Sequence, residues 1–289
     1  MRITRITNLI ALSLLVAFGA TAQINTPQPS PAGSVSSTVG LTEVKIDYFR
    51  PGKKGRKIFG EGDDFLVPYG QIWRTGANAG TIISFSTDVK IAGQDVKAGE
   101  YQIVSIPGAD EWKVMFHSEK IGGNMGNYKE ENVVATATVK PSKLSSSVER
   151  MTFQIADISA DNTSANIAFT WDNVGLKVPF TVSFHDAVMK EIAEKTQVNP
   201  ANYVAAATYY LNSGENLEQA LEWMNMYLAA GENSKQFWNV HTKAQILAKL
   251  GKKKEAIETA KDSMEKAKNF PQGDFGYVKR NQDLIDSLK

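Results

Sequence analysis

From Val44 the chain alternates: Val44, Ile46 and Tyr48 are interleaved with Lys45, Asp47 and Phe49, the period of two expected of a strand with one face buried. Ile83 and Phe85, then Val89 and Ile91 around Lys90, continue the pattern. Gly93-Gln94-Asp95 reads as a tight turn, with Tyr101, Ile103 and Ser105 on the next strand. Trp112, Val114 and Phe116 alternate with Lys113, Met115 and His117. Further strands are predicted over residues 133–139, 148–156, 165–171 and 176–184. Short β-branched and aromatic runs punctuated by Gly, Pro, Asn and Asp predict an antiparallel sandwich or barrel, placed over residues 34–184. No helical period of useful length interrupts it.

At His185 the composition changes to Ala, Leu, Lys, Glu and Met, and the apolar period becomes helical. About five helices are predicted over residues 186–289. Asn199-Pro200 supplies a start signal, and Gly214, Gly231 and Gly251 fall where helices should end. Ala220-Leu221 and Ala256-Ile257 stand 36 positions apart in two segments that look related, close to the roughly 34-residue period of tetratricopeptide repeats. Gly251-Lys-Lys-Lys-Glu-Ala256-Ile257 resembles the inter-helix turn of that family. The fold class expected is α+β in two domains: an antiparallel β-sandwich followed by a tetratricopeptide-like helical hairpin domain, whose concave side would face a protein or peptide partner.

The N-terminus changes the picture of where this protein works. Arg2 and Arg5, an apolar run from Leu9 to Ala20, and Ala20-Thr21-Ala22 make a signal peptide over residues 1–22. The run is shorter than the roughly 20 apolar residues of a spanning helix, so the mature chain is expected to carry no membrane span and to reach the periplasm or the outside. Residues 23–33, with Pro27, Pro29 and Pro31, read as an extended lead-in. Removing the leader leaves 30 of the 32 basic residues against 31 acidic ones, which gives no electrostatic case for nucleic acid or an anionic membrane surface. The absence of cysteine excludes disulfides, thiolate metal sites, thiol nucleophiles and lipid attachment at a cysteine.

One stretch stands apart. Pro51-Gly-Lys-Lys-Gly-Arg56-Lys-Ile-Phe-Gly60 precedes Val67-Pro-Tyr-Gly-Gln-Ile-Trp73-Arg-Thr-Gly-Ala-Asn78. With Pro29-Ser-Pro-Ala32, the run from Gly93 to Tyr101, and Ile106-Pro-Gly before Glu111-Trp112, it resembles the bacterial domain-of-unknown-function family 2911 over roughly residues 27–180. The Trp-Arg-Thr-Gly-Ala-Asn string is the most specific part. The resemblance implies an exported bacterial protein and carries no activity with it. Met125-Gly126-Asn127-Tyr128 departs from the Trp-Gly pair and Tyr that the resemblance would place there.

Candidate chemistry gathers around that string. Trp73 suits a core anchor whose ring nitrogen seeks an acceptor. Arg74 carries a rigid fork of five donors, fit for a carboxylate, a phosphate or several backbone carbonyls. Gly76 permits positive φ and Asn78 closes turns. Two readings stay open: an anion or sugar-hydroxyl site built by Arg74 and Asn78, or a structural arginine satisfying loop carbonyls. Arg56 belongs to a basic loop with Lys53, Lys54 and Lys57 that lacks the Lys-Ser/Thr of a nucleotide loop; a solvated loop is expected rather than an anion cradle. His117 ends a strand and either borders a pocket or, as expected, lies on the surface. His185 and His241 are too distant in sequence for a metal set, so no metal and no cofactor are predicted. The composite expectation is a non-enzymatic module that binds a small molecule, saccharide or other envelope component, its helices mediating protein contacts. The alternative is a hydrolase or other enzyme acting on envelope saccharides or peptides through the Arg74/Asn78 loop.

Overall fold

The alternation becomes twelve strands among the residues that the computed structural model describes, 26–196 and 199–289. The leader expected over residues 1–22 and the start of the lead-in lie outside the described residues. The described chain divides into two compact units between Ser183 and Phe184, so the architecture is α+β, a β-rich unit followed by a helical one.

The larger sheet has six antiparallel strands in the order β1 (Ala32–Val39), β2 (Thr42–Phe49), β5 (Thr81–Phe85), β8 (Gly99–Ile106), β9 (Trp112–His117) and β10 (Val133–Val139). The smaller has four, in the order β11 (Ser142–Ala156), β12 (Ser164–Val182), β6 (Val89–Ile91) and β7 (Gln94–Val96). A short parallel pair joins β3 (Phe59–Gly60) to β4 (Val67–Pro68). The inward sets of the two large sheets interlock: Tyr48 meets Phe153 with ring centres 5.2 Å apart, Phe85 meets Phe180 at 5.9 Å, and Trp112 meets Phe169 at 5.9 Å. Val44, Ile46, Ile83 and Phe116 are fully buried between them. This is the sandwich that the period of two predicts.

Four local expectations are corrected. Pairing begins at Ala32 rather than 34, because β1, rich in Ser and Thr, is an edge strand with little apolar signal. The turn lies at Ala92-Gly93, both at positive φ, while Gln94 already pairs with Ile91; this is the backbone of a two-residue hairpin. The segments 165–171 and 176–184 form one strand, β12. Asp172, at φ 51°, stays paired within that strand opposite Val148, between two register shifts whose extra residues lie in β11, and its carboxylate takes bonds from Lys53 (2.6 Å) and Ser147 (2.9 Å). Finally, β5 and β6, read as one continuing pattern, belong to opposite sheets.

Among the described residues the helical unit has six α-helices where about five are predicted: α1 (His185–Thr196), α2 (Tyr203–Ser213), α3 (Leu217–Ala229), α4 (Phe237–Lys249), α5 (Lys253–Lys268) and α6 (Tyr277–Ser287). The last is hard to read because it buries only Asn281 and Ile285. Asn199 caps a 3₁₀ turn that starts at Pro200, its side chain accepting from the Ala201 amide at 2.9 Å. Gly214 closes α2 at φ 78°. The paired alanines are both fully buried, Ala220 in α3 and Ala256 in α5, in one core with Ala207, Met224, Ile246 and Leu247. Lys249 extends from α4 to the Leu211 carbonyl at the end of α2, 2.6 Å away. No helix of the described residues is long and apolar enough to cross a membrane.

Candidate functional site

Strand β5 begins only at Thr81, opposite Ile103, which leaves the edge of β8 beyond Ile103 free of it. The Trp73 segment takes the vacancy: its amide donates to the Ser105 carbonyl at 2.8 Å and the Ser105 amide returns a bond to Trp73 at 2.9 Å. That pairing settles which way each side chain points. Trp73 turns inward, stacked on Trp171 of the opposite sheet and edged by Phe59 at 5.8 Å. Thr75 is buried at φ 52°, a conformation that costs a β-branched residue about 1–3 kcal/mol. It is held by a hydroxyl–hydroxyl bond to Ser105 (2.8 Å) and by the Thr81 hydroxyl, which donates to the Thr75 carbonyl at 2.5 Å.

Arg74 follows the inward Trp73 and precedes this strained residue. Its side chain is half-buried, and its Nε is buried with no hydrogen-bond partner. Among the described residues nothing forms an ion pair with its guanidinium. A buried, unpaired donor on an always-charged group is unusual enough to need an explanation. The loop around it cannot relax easily. Gly80, at φ 86°, closes it, and a Cβ there would stand 2.9 Å from the Arg74 carbonyl and 2.6 Å from Gln102 Nε2.

The other half of the site is on the outer face of β8 and β9. Gln102 and His117 pair directly across these strands, and both are fully buried. They are covered by residues 118–132, whose Ile121, Met125 and Tyr128 pack with Val104 and Met115 in a second small core. Met125 thus fills part of the space where the resemblance would put Trp. The Gln102 amide pins two loops together. Its Nε2 donates to the carbonyls of Ala79 (3.3 Å) and Gly122 (3.1 Å), and its Oε1 accepts from the Gly122 amide at 3.1 Å. His117 is therefore not on the surface, as expected, but sealed beneath this segment. Its Nδ1 lies 2.7 Å from the Glu119 carbonyl and its Nε2 3.1 Å from that of Lys129, so both ring nitrogens are engaged by backbone. Beside it, burial and the hydrogen bond to Glu130 push the Tyr128 hydroxyl up to about 12.

Asn78 reaches the same seam through its backbone. A Cβ on Gly123 would stand 2.7 Å from the Asn78 carbonyl oxygen, so only glycine lets the two loops approach. The Asn78 side chain is exposed at φ 51°, with a long 3.5 Å contact to the Ser30 carbonyl. Arg56 stands apart. Its Nη2 donates to the Gly52 carbonyl at 2.6 Å and its Nε to that of Lys53 at 3.1 Å, closing its own loop. That loop is docked on the smaller sheet by Lys53, ion-paired to Asp172, and by the Lys54 amide on Glu149. The structure thus brings the Arg74–Asn78 loop and the His117 segment together at Gln102 and leaves Arg56 at another place.

Next to Ala79 and Gly80 an open groove of about 400 Å³ runs over the outer face, floored by Ala32, Phe49 and Ile82. At its rim the Lys45 ammonium bonded to Asp47 holds that carboxyl below its ordinary range. Among the described residues no group of three or more His, Asp or Glu is placed to hold a metal ion. Gln102 escaped the sequence reading because alternation put it outward. The signal was in its neighbours: Val104 and Met115 are also outward yet apolar, which marks a covered face.

No curated protein matches the chain, and no solved structure does either. Residues 30–180, more than half of the sequence, match the family described as protein of unknown function (DUF2911), and the chain belongs to that family.

Proposed function

We propose that this is an exported, non-enzymatic binding module whose β-sandwich takes an anionic group of an envelope saccharide or peptide at Arg74, and whose tetratricopeptide-like helical domain contacts a protein partner. The observation that carries the reading is the Arg74 guanidinium: half-buried, with an unpaired Nε, on a loop held in strained backbone by Thr75. A carboxylate or phosphate would supply the charge partner that the half-buried guanidinium lacks among the described residues, and the groove lined by Ala79 and Gly80 runs beside the end of the same loop. His117, the histidine of the paired strands, has both nitrogens engaged by backbone, which favours binding over hydrolysis at this loop. Export rests on the leader at residues 1–22.

The test compares the parent with Arg74→Met by calorimetric titration against uronic-acid oligosaccharides, acidic peptides and inorganic phosphate, alongside thermal unfolding of both proteins. Binding by the parent that Arg74→Met abolishes, with the unfolding midpoint unchanged or raised, is the expected result. Strong destabilisation of Arg74→Met with no ligand for the parent would make Arg74 a structural residue and end the proposal.

A further inference from the structure

The helical unit contains a groove of about 580 Å³ between α1, α2 and α3. Its floor is aromatic. Trp223 lies nearly parallel to Tyr203, at 7° with ring centres 5.9 Å apart, and to Tyr210, at 18° and 5.5 Å. Tyr203 and Tyr210 stand two turns apart on α2, so the ladder is fixed by two helices rather than by a mobile loop. Met226, exposed on the rim, adds a side chain that adapts to varied apolar contacts.

Among the residues that line the groove, Glu222 alone is charged. Between Lys195 and Lys235 the sequence has no Lys, Arg or His, while Glu215, Glu218, Glu222 and Glu232 all fall there. Glu215 faces His185 at 3.5 Å, and Glu232 is ion-paired to Lys235. Glu222 lines the groove, and its partner is the neutral Gln219 amide at 2.9 Å. Its charge is therefore not compensated by a cation among the described residues. An uncompensated carboxylate beside stacked aromatic rings is the recognition set for an organic cation: the ring faces attract it through their quadrupole and the carboxylate supplies the counter-charge.

We infer that this groove binds an extended peptide segment of a partner protein through a lysine or arginine side chain seated between Glu222 and the Tyr203/Trp223 rings. The inference rests on the proposed role of the helical unit as a protein-contact surface, and adds the chemistry of the partner. Charge complementarity selects this occupant over an acidic segment, which Glu222 would repel.

The test uses the full chain and short fluorescein-labelled peptides of alternating alanine and lysine, alanine and glutamine, or alanine and glutamate, followed by anisotropy. The lysine peptide should bind, weaken as salt is raised, and lose about tenfold in affinity to Glu222→Gln, an exposed substitution that should leave the unfolding midpoint unchanged. Tyr203→Leu should weaken it as well. If the glutamine or glutamate peptide binds as tightly and Glu222→Gln changes nothing, the cation assignment is wrong while the groove remains a protein-contact surface. If no peptide binds, both the assignment and that wider reading of the helical unit fall.

Discussion

Trp73 stacks on Trp171 across the sandwich, ring centres 6.1 Å apart and planes inclined by 21°. The contact ties the most distinctive sequence string of the chain to the long strand β12 of the smaller sheet. Phe59, from the docked basic loop, sets its edge against both indoles, at 5.8 Å and 5.7 Å. Three separate segments thus converge on one aromatic cluster, and the loop bearing Arg74 inherits its position from it.

Truncating Trp73 should therefore cost more than its half-buried state suggests. Trp73→Ala is expected to destabilise the β-rich unit by about 3 kcal/mol, the lower end for a large aromatic residue, read as a shift in the urea unfolding midpoint. Trp171→Phe should cost clearly less. The Trp171 Nε1 is buried without a hydrogen-bond partner, so losing it removes an unsatisfied donor along with some packing. Equal losses for the two variants would contradict this account of the stack.

Gln102 provides a second, independent test. Gln102→Leu leaves the Gly122 amide and two carbonyls without their partner, at about 1–3 kcal/mol for a buried group so stranded. The loss should be local as well as global. Hydrogen exchange at the Gly122 amide should accelerate, while the Trp73 amide, bonded to Ser105 rather than to Gln102, should keep its protection. Protection lost at both, or at neither, would mean that Gln102 does not pin the two loops.

What was legible in the sequence follows from where the periodic signal is strong. Val44, Ile46 and Tyr48 announce a half-buried strand because alternate residues meet opposite environments, and Ala220 and Ala256, small residues within a helical apolar period, mark helix faces that are fully buried. Gln102 and His117 were not legible as buried residues. Alternation assigns a face, and nothing in residues 118–132, which have no period of their own, says that they fold back over it. Asp172 misleads for a related reason: a turn-forming residue also fits within a strand where its partner strand bulges, and here Lys53 and Ser147 hold its carboxylate in place. Arg74 was singled out by its residue type, but its unpaired Nε is a property of the folded chain alone.

The small residue at 256 can be tested by enlarging it. Ala256→Leu places a longer side chain in a fully buried position among Ala220, Met224 and Leu247. Overpacking of this kind costs about 1–3 kcal/mol. Far-ultraviolet circular dichroism, dominated by the helices, should show the midpoint falling; an unchanged midpoint would place residue 256 at a slack position and remove the physical reason for an alanine there.

The last prediction concerns acid. His241, Asn281 and Ser263 form a buried chain joining α4, α6 and α5: His241 Nδ1 lies 2.7 Å from Asn281 Oδ1, the Asn281 amide donates to Ser263 Oγ at 2.8 Å, and the Ser263 hydroxyl donates to the Phe237 carbonyl at 2.7 Å. Burial holds the His241 imidazole below its usual pKa of 6.5; the Asn281 bond opposes this and the nearby Arg280 charge adds to it. A base whose pKa is lowered on folding binds its proton more weakly in the native state than in the unfolded chain. Above the unfolded value neither state is protonated, and the contribution of His241 is fully present. As the pH falls through that value the unfolded chain takes up the proton first, and stability drops by at most about 1.4 kcal/mol per pH unit until the native residue protonates too. His241→Gln removes the titration while keeping an amide for Asn281. The unfolding free energy of the parent relative to this variant should therefore decline between pH 7 and pH 5, carboxylates common to both proteins cancelling in the difference. A difference that stays flat, or grows in acid, would show that His241 is solvated in the native protein and that the buried chain does not lock the three helices.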